Sequence, residues 1–183
     1  MKIVLGSKSP RRKEILSLMG YTFDVRVSDA NEIQIGVTPI EVVSSIANQK
    51  VNNIEISDDE LLICADTIVA LNNLILGKPK TKDEARKMID MLQGKTHIVY
   101  TAVYIKTKSE HIEFVDEAQV TLKKMAYKEI EDYINTDEPY DKAGGYAIQG
   151  IFSKYIESFK GDYYTIMGLP KNRLEKELNK IIK

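Results

Sequence analysis

Residues 61–71, Leu-Leu-Ile-Cys-Ala-Asp-Thr-Ile-Val-Ala-Leu, form a nearly continuous apolar run. A strand with one wet face alternates polar and apolar residues; this one does not, so both of its faces must be covered. Covering both faces of a sheet takes helices, and the flanking segments supply them. Residues 2–5 and 21–27 read as strands around a first helix that opens at Ser9-Pro10, carries Ile15, Leu16 and Met19 at helical spacing, and closes at Gly20. Thr38-Pro39 caps a second helix running to about Asn52, with Val42, Val43, Ile46 and Ala47 on one face. A turn at Asn72-Asn73 leads into a short strand ending at Gly77-Lys78-Pro79, and 81–93 is helical up to Gly94. Residues 96–107 and 111–123 read as two long antiparallel strands, and 127–136 as a helix. A Pro/Gly-rich loop over 137–150 precedes a strand near 153–159, and Pro170 opens a final amphipathic helix through Leu174, Leu178, Ile181 and Ile182. The pattern predicts one α/β domain over 1–183, a mixed twisted sheet flanked by helices.

Composition narrows the function classes. With 43% apolar and 29% charged residues the chain is of the soluble globular kind, long enough for one sizeable core. A net charge of −1 provides no global basic field, which argues against a nucleic-acid partner and makes any anion binding local. Cys64 is the lone cysteine, which excludes a disulfide framework and suits a reducing cytosol. No apolar stretch approaches the length of a membrane span and no signal-peptide core is present, so a cytoplasmic protein without a membrane partner is expected. His97 and His111 lack metal-ligand spacing, Cys64 has no nearby Cys or His, and no serine sits in a Gly-x-Ser-x-Gly elbow. Zinc, cysteine-nucleophile and serine-hydrolase chemistries are thereby disfavoured.

Two stretches carry charge in places where structure alone does not call for it. Arg11, Arg12 and Lys13 crowd the first turn of the first helix, where they oppose the macrodipole by a few tenths of a kcal/mol each. An anion at that helix start reverses the sign, and phosphate suits the free N–H groups there; a solvated basic turn is the competing reading. The loop 139–150 combines Lys142, three glycines and Gln149. Glycine lets backbone approach phosphates, and a glutamine amide can read a base or sugar edge; a plain tight turn competes here too. Asp66 is the sharpest single residue, because a carboxylate inside an apolar strand must be paired, metal-bound or at an open strand end. Thr67 beside it points to the opposite face. Lys78, held between Gly77 and Pro79, suits a phosphate contact or a surface turn, and Glu32 in the polar loop 28–37, with Asp29, Asn31 and Gly36, is a solvated carboxylate by default.

Taken in order, Ser7-x-Ser9-Pro10-Arg11-Arg12, Ala65-Asp66-Thr67, Gly77-Lys78-Pro79, Asp141-Lys142-Ala143-Gly144 through Ile148-Gln149-Gly150, and Gly161-Asp162-Tyr163-Tyr164 with Gly168-Leu169-Pro170 resemble the Maf family of nucleoside triphosphate pyrophosphatases, also called septum-formation proteins. The resemblance spans the chain. It implies a fold like that of inosine-triphosphate pyrophosphatases, with a cleft between two lobes, and metal-assisted hydrolysis of a nucleoside triphosphate to the monophosphate and pyrophosphate. Asp66 is then the catalytic base. Arg11, Thr67 and Gln149 mark the branch acting on dTTP and UTP, whereas a sister branch associated with 7-methyl-GTP tends to carry Trp, Gln and Glu there. Glu32 and Lys50 fall near the metal and phosphates, with Mg²⁺ or Mn²⁺ shared by Glu32 and Asp66. Ser7, Arg12, Lys50, Lys78 and Lys142 hold the triphosphate. A homodimer is compatible with the resemblance. Gly6 stands where Ala is usual and Ala102 where Gly is common, both small-for-small changes. A non-catalytic nucleotide-binding regulator of septum formation and a pyrophosphatase specific for ITP or XTP are the competing functions.

Overall fold

A computed structural model describes residues 1–28 and 32–182; Asp29 and Asn31 of the expected polar loop lie outside the described residues. Among those described, the strands are β1 (Lys2–Leu5), β2 (Phe23–Val25), β3 (Glu60–Leu71), β4 (Leu74–Leu76), β5 (Thr96–Lys106), β6 (His111–Leu122) and β7 (Ile156–Lys160). The helices are α1 (Pro10–Leu18), α2 (Pro39–Asn52), α3 (Lys82–Leu92), α4 (Tyr127–Ile134), α5 (Tyr163–Met167) and α6 (Lys171–Ile181). The strands form one mixed sheet in the order β2-β1-β3-β5-β6-β7, with β4 also paired to β3. β1 lies parallel to β2 and β3, whereas β3, β5, β6 and β7 pair antiparallel in succession.

As the continuous apolar run requires, β3 is covered on both faces. Leu62, Cys64, Ile68 and Ala70 pack against Val43, Ala47 and Val51 of α2. The opposite face is split. Leu61, Ile63 and Ala65 join a core with Ile15 and Leu16 of α1 and Leu174 and Leu178 of α6. Further along, Val69 and Leu71 join a separate core with Ile89 and Leu92 of α3 and Ile130 and Tyr133 of α4. The break between these two cores falls at Thr67, so the two expected lobes share one sheet.

Local chemistry explains most boundaries. Thr38 caps α2 through a box in which its Oγ1 accepts from Glu41 N and the Glu41 carboxylate accepts from Thr38 N. Asn72 and Asn73 take positive φ values of 49° and 69°, the pair needed for a tight two-residue hairpin between β3 and β4. Three expectations needed correction. β2 is three residues, not the span 21–27, because β1 offers partners only from Ile3 to Leu5. α4 stops at Ile134, short of 136, where Thr136 Oγ1 donates to the Tyr133 carbonyl. The strand expected near 153–159 starts at Ile156; residues 151–155 wind into a 3-10 turn whose first N–H groups, those of Ile151 and Phe152, donate to the Glu138 carboxylate. Beyond these, Asp162 opens the short α5, its Oδ1 accepting from Tyr164 N, and Gly168 closes it at φ 110°.

Candidate active site

β3 is longer than its neighbours on one edge. β1 pairs with it only as far as Ile63, and β4 only from Val69 onward. Between them residues 64–68 keep an open edge, and Asp66 and Thr67 sit in the middle of it. A cleft of about 440 Å³ opens there. Because the edge is open, the Asp66 side chain on the α2 face and the Thr67 side chain on the other both reach the same cavity.

On the α2 face, Lys50 near the end of α2 places its ammonium 2.5 Å from Asp66 Oδ1 and 3.6 Å from Glu32 Oε2. A carboxylate in an apolar strand is tolerated here because a cation meets it at the open edge. An ammonium held between two carboxylates also marks where a cation is electrostatically at home. The donors are all oxygen, the kind that Mg²⁺ and Mn²⁺ prefer, so Glu32 and Asp66 fit such an ion. Among the described residues no cluster of three or more His, Cys, Asp or Glu side chains gathers for a metal, so its other ligands would come from substrate and water.

On the opposite face, Arg12 of α1 lies half-buried at the floor of the cleft. Its Nε donates to the Gly168 carbonyl at 2.8 Å, Nη1 to Ser7 Oγ at 3.1 Å and Nη2 to Thr67 Oγ1 at 3.2 Å. Burial pulls this guanidinium below its usual range and the negative charge of Asp66 pulls it back. Ser9 holds the N-cap position of α1, yet its side chain makes no cap bond; its N–H donates instead to Ser7 Oγ at 3.2 Å. Ser7 thus accepts twice, and what it can offer the cleft is its own proton, which suits a phosphate oxygen. Gly168 has to be glycine. A Cβ there would lie 3.2 Å from Thr67 Oγ1 and 3.6 Å from Arg12 Nε, at a φ that side chains rarely adopt.

The far wall is built from two turns locked together, Gly144 N donating to the Gly77 carbonyl at 2.9 Å. This contact sets Lys78 and Lys142 on one side of the cleft. Lys142 donates to Asp141 Oδ1 at 2.5 Å and to the Glu138 carbonyl at 3.0 Å, and Asp141 also lies 3.8 Å from Arg11. Asp141 therefore ties the basic turn of α1 to the glycine loop across the cleft, a role not anticipated from its position in the sequence. Glu138, likewise missed, staples the loop's two ends by accepting from Ile151 N and Phe152 N, and Gly150 leaves room for that carboxylate. Gln149 lines the cavity with a buried Oε1 that has no hydrogen-bond partner among the described residues.

All ten residues singled out in the sequence line this one cleft: Ser7, Arg11, Arg12, Glu32, Lys50, Asp66, Thr67, Lys78, Lys142 and Gln149. Nucleophilic thiol chemistry has no place in it, since burial pushes the Cys64 thiol up to about 12. His97 is buried with its Nε2 2.6 Å from the Tyr146 hydroxyl, and His111 lies at the far end of β6. The departure at Gly6 has a local cause: a Cβ there would come within 2.3 Å of Cys64 Sγ.

Six cationic side chains and three carboxylates line the cleft among the described residues, with an unsatisfied amide oxygen at one wall, a lining that suits a polyanion. The chain belongs to the Maf family, whose pattern, described as Maf-like protein, matches residues 2–181. It is 44% identical over 180 residues to the dTTP/UTP pyrophosphatase of Bacillus cereus, covering 97% of this chain and 94% of that protein. It is 45% identical over 186 residues to the dTTP/UTP pyrophosphatase of Lachnoclostridium phytofermentans, covering 98% and 94%. A solved HAM1 protein from Coxiella burnetii aligns over 100% of this chain with a TM-score of 0.47 and 13% identity. The fold assignment rests on the sheet itself.

Proposed function

We propose that the whole chain, residues 1–183, is one catalytic domain that hydrolyses nucleoside triphosphates, dTTP and UTP foremost, to the monophosphate and pyrophosphate. The observation that carries this reading is the Glu32–Lys50–Asp66 constellation at the open edge of β3, facing Arg11, Arg12, Lys78 and Lys142. The names borne by relatives at 44–45% identity support the same activity and substrates. Base recognition is supported by Gln149, whose buried acceptor needs a donor from the ligand. The imide N–H of uracil or thymine is such a donor, whereas cytosine presents an acceptor at that ring position. The buried thiol of Cys64 fits a reducing, cytoplasmic compartment.

In this mechanism the cations orient the triphosphate and spread the charge that develops on the departing pyrophosphate. Asp66 keeps one oxygen on Lys50, and its other oxygen takes a proton from a water whose own oxygen bonds to the α-phosphorus, while the bond from that phosphorus to the bridging oxygen breaks and its electron pair leaves with pyrophosphate. A divalent cation held by Glu32 and Asp66 would add charge neutralisation at the phosphates. Lys50 serves as the resident counter-ion that keeps the two carboxylates together before substrate arrives.

Pyrophosphate release from UTP, dTTP, CTP, ITP and GTP, measured beside Asp66→Asn, tests the reading. Turnover of UTP and dTTP is expected, falling about 10²-fold or more in the variant while nucleotide binding persists. Near-normal turnover by Asp66→Asn would remove the base assignment. Turnover of ITP and GTP alone would overturn the pyrimidine preference, and binding without turnover would make the protein a nucleotide-responsive regulator.

A further inference from the structure

Thr67, Thr101 and Asp116 are register partners on three adjacent strands, β3, β5 and β6. They form a polar row across the sheet at the boundary between its two apolar cores on that face. Thr101 and Thr165 are fully buried. In such a place every hydroxyl proton must be accounted for, and here each can be.

Thr101 Oγ1 lies 2.8 Å from the Thr165 carbonyl, which can only accept, so Thr101 spends its single proton there. The 2.9 Å contact between the Thr101 and Thr67 hydroxyls then has one direction: Thr67 donates and Thr101 accepts. Thr165 in turn donates its own hydroxyl to Asp116 Oδ2 at 2.6 Å. Thr67 also accepts from Arg12 Nη2. With its proton committed and one lone pair engaged, Thr67 has a single remaining capability toward the cleft, which is to accept another hydrogen bond.

We propose that Thr101 is a positioning residue that fixes the Thr67 hydroxyl as an acceptor toward the cleft, so that the nucleotide must bring a hydrogen to that point. The inference rests on the pyrophosphatase reading above and deepens it. The imide N–H of the base answers Gln149, which leaves the 3′ O–H of the sugar, the hydroxyl that UTP and dTTP share, as the hydrogen for Thr67. Replacing Thr101 by valine keeps the shape and β-branching but releases the Thr67 proton. Thr67 can then turn its O–H outward, donor against donor.

The test compares kcat/KM for UTP, 3-methyl-UTP and 3′-deoxy-UTP in the wild type, Thr101→Val and Thr101→Ser. Wild type should lose about tenfold or more with 3′-deoxy-UTP, which lacks the hydrogen that Thr67 accepts, and separately with 3-methyl-UTP, which lacks the one that Gln149 accepts. Thr101→Val should lose about tenfold with UTP, show no further loss with 3′-deoxy-UTP and keep the full further loss with 3-methyl-UTP, and Thr101→Ser should behave as wild type. A Thr101→Val penalty equal across all three nucleotides would overturn the inference and leave Thr101 a structural residue. Should Thr101→Val fail to fold, the wild type alone decides: equal use of 3′-deoxy-UTP and UTP rejects an acceptor-only Thr67. If the wild type binds these nucleotides without turning them over, the pyrophosphatase reading falls and the same comparison is read in Kd. Turnover with a uniform penalty sinks this inference alone.

Discussion

At the scale of single residues, the cleft shows how burial and pairing together set chemistry. Asp66 is tolerated in an apolar strand because Lys50 meets it, while Gly6 and Cys64 share a space that would not hold an alanine. His97 shows the opposite treatment of a titratable group: it is buried against Tyr146, its Nδ1 lacks a partner among the described residues, and desolvation pulls its pKa from 6.5 down to about 4. A depressed folded-state pKa means the unfolded chain takes up the proton first. His97 therefore stabilises the fold fully above about pH 6.5, and that contribution drains away as the pH falls from there through 4. The full shift corresponds to about 3 kcal/mol. Denaturant unfolding at pH 7 and pH 4.5 should show most of this loss in the wild type and little of it in His97→Gln. A parallel decline in both would assign the acid sensitivity to carboxylates instead.

At the scale of elements, the site is assembled from ends and interruptions of regular structure. α2 carries Lys50 to Asp66, so whatever anchors its start bears on the site. Thr38→Ala removes the acceptor of Glu41 N and should cost about 1 kcal/mol in urea unfolding at neutral pH. No change would mean that the Glu41 carboxylate, which takes the Thr38 and Val37 N–H groups, holds the helix start unaided. α5 is only five residues long, yet it does two things: its first-turn carbonyl at Thr165 takes the Thr101 proton, and its terminal Gly168 hands a carbonyl to Arg12. The loop from Glu138 to Gln149 depends on the Glu138 staple and on the Gly144–Gly77 contact to form a wall at all.

At the scale of the whole molecule, one face of the sheet bears two apolar cores divided by the polar row of Thr67, Thr101 and Asp116, and the cleft lies over that division. Under the proposed function a nucleotide in it would reach groups on both sides: Arg11 and Arg12 on α1, Lys142 and Gln149 on the far loop. Binding should therefore stabilise the fold as one unit. A non-hydrolysable UTP analogue at a hundred times its Kd should add about 2.7 kcal/mol and raise Tm by about 5–10 °C. An unmoved Tm under those conditions would mean that the cleft is not the nucleotide site.

What the sequence determined by itself was local in origin. Hydrophobic period separated the doubly covered β3 from the amphipathic helices, and caps and glycines marked where elements begin and end. The kinds of side chain needed for a polyanion stood in six separate places along the chain, and all ten of those chosen do line one cleft. Only the tertiary structure decided that β1 ends and β4 begins so as to leave Asp66 and Thr67 on an open edge. It alone set Lys50 between two carboxylates, made Asp141 and Glu138 the struts of the far wall, and aligned Thr67 with Thr101 and Asp116. Strand register and edge gaps follow from pairings between residues tens of positions apart, such as Thr67 with Thr101, and no local pattern of polarity encodes those distances.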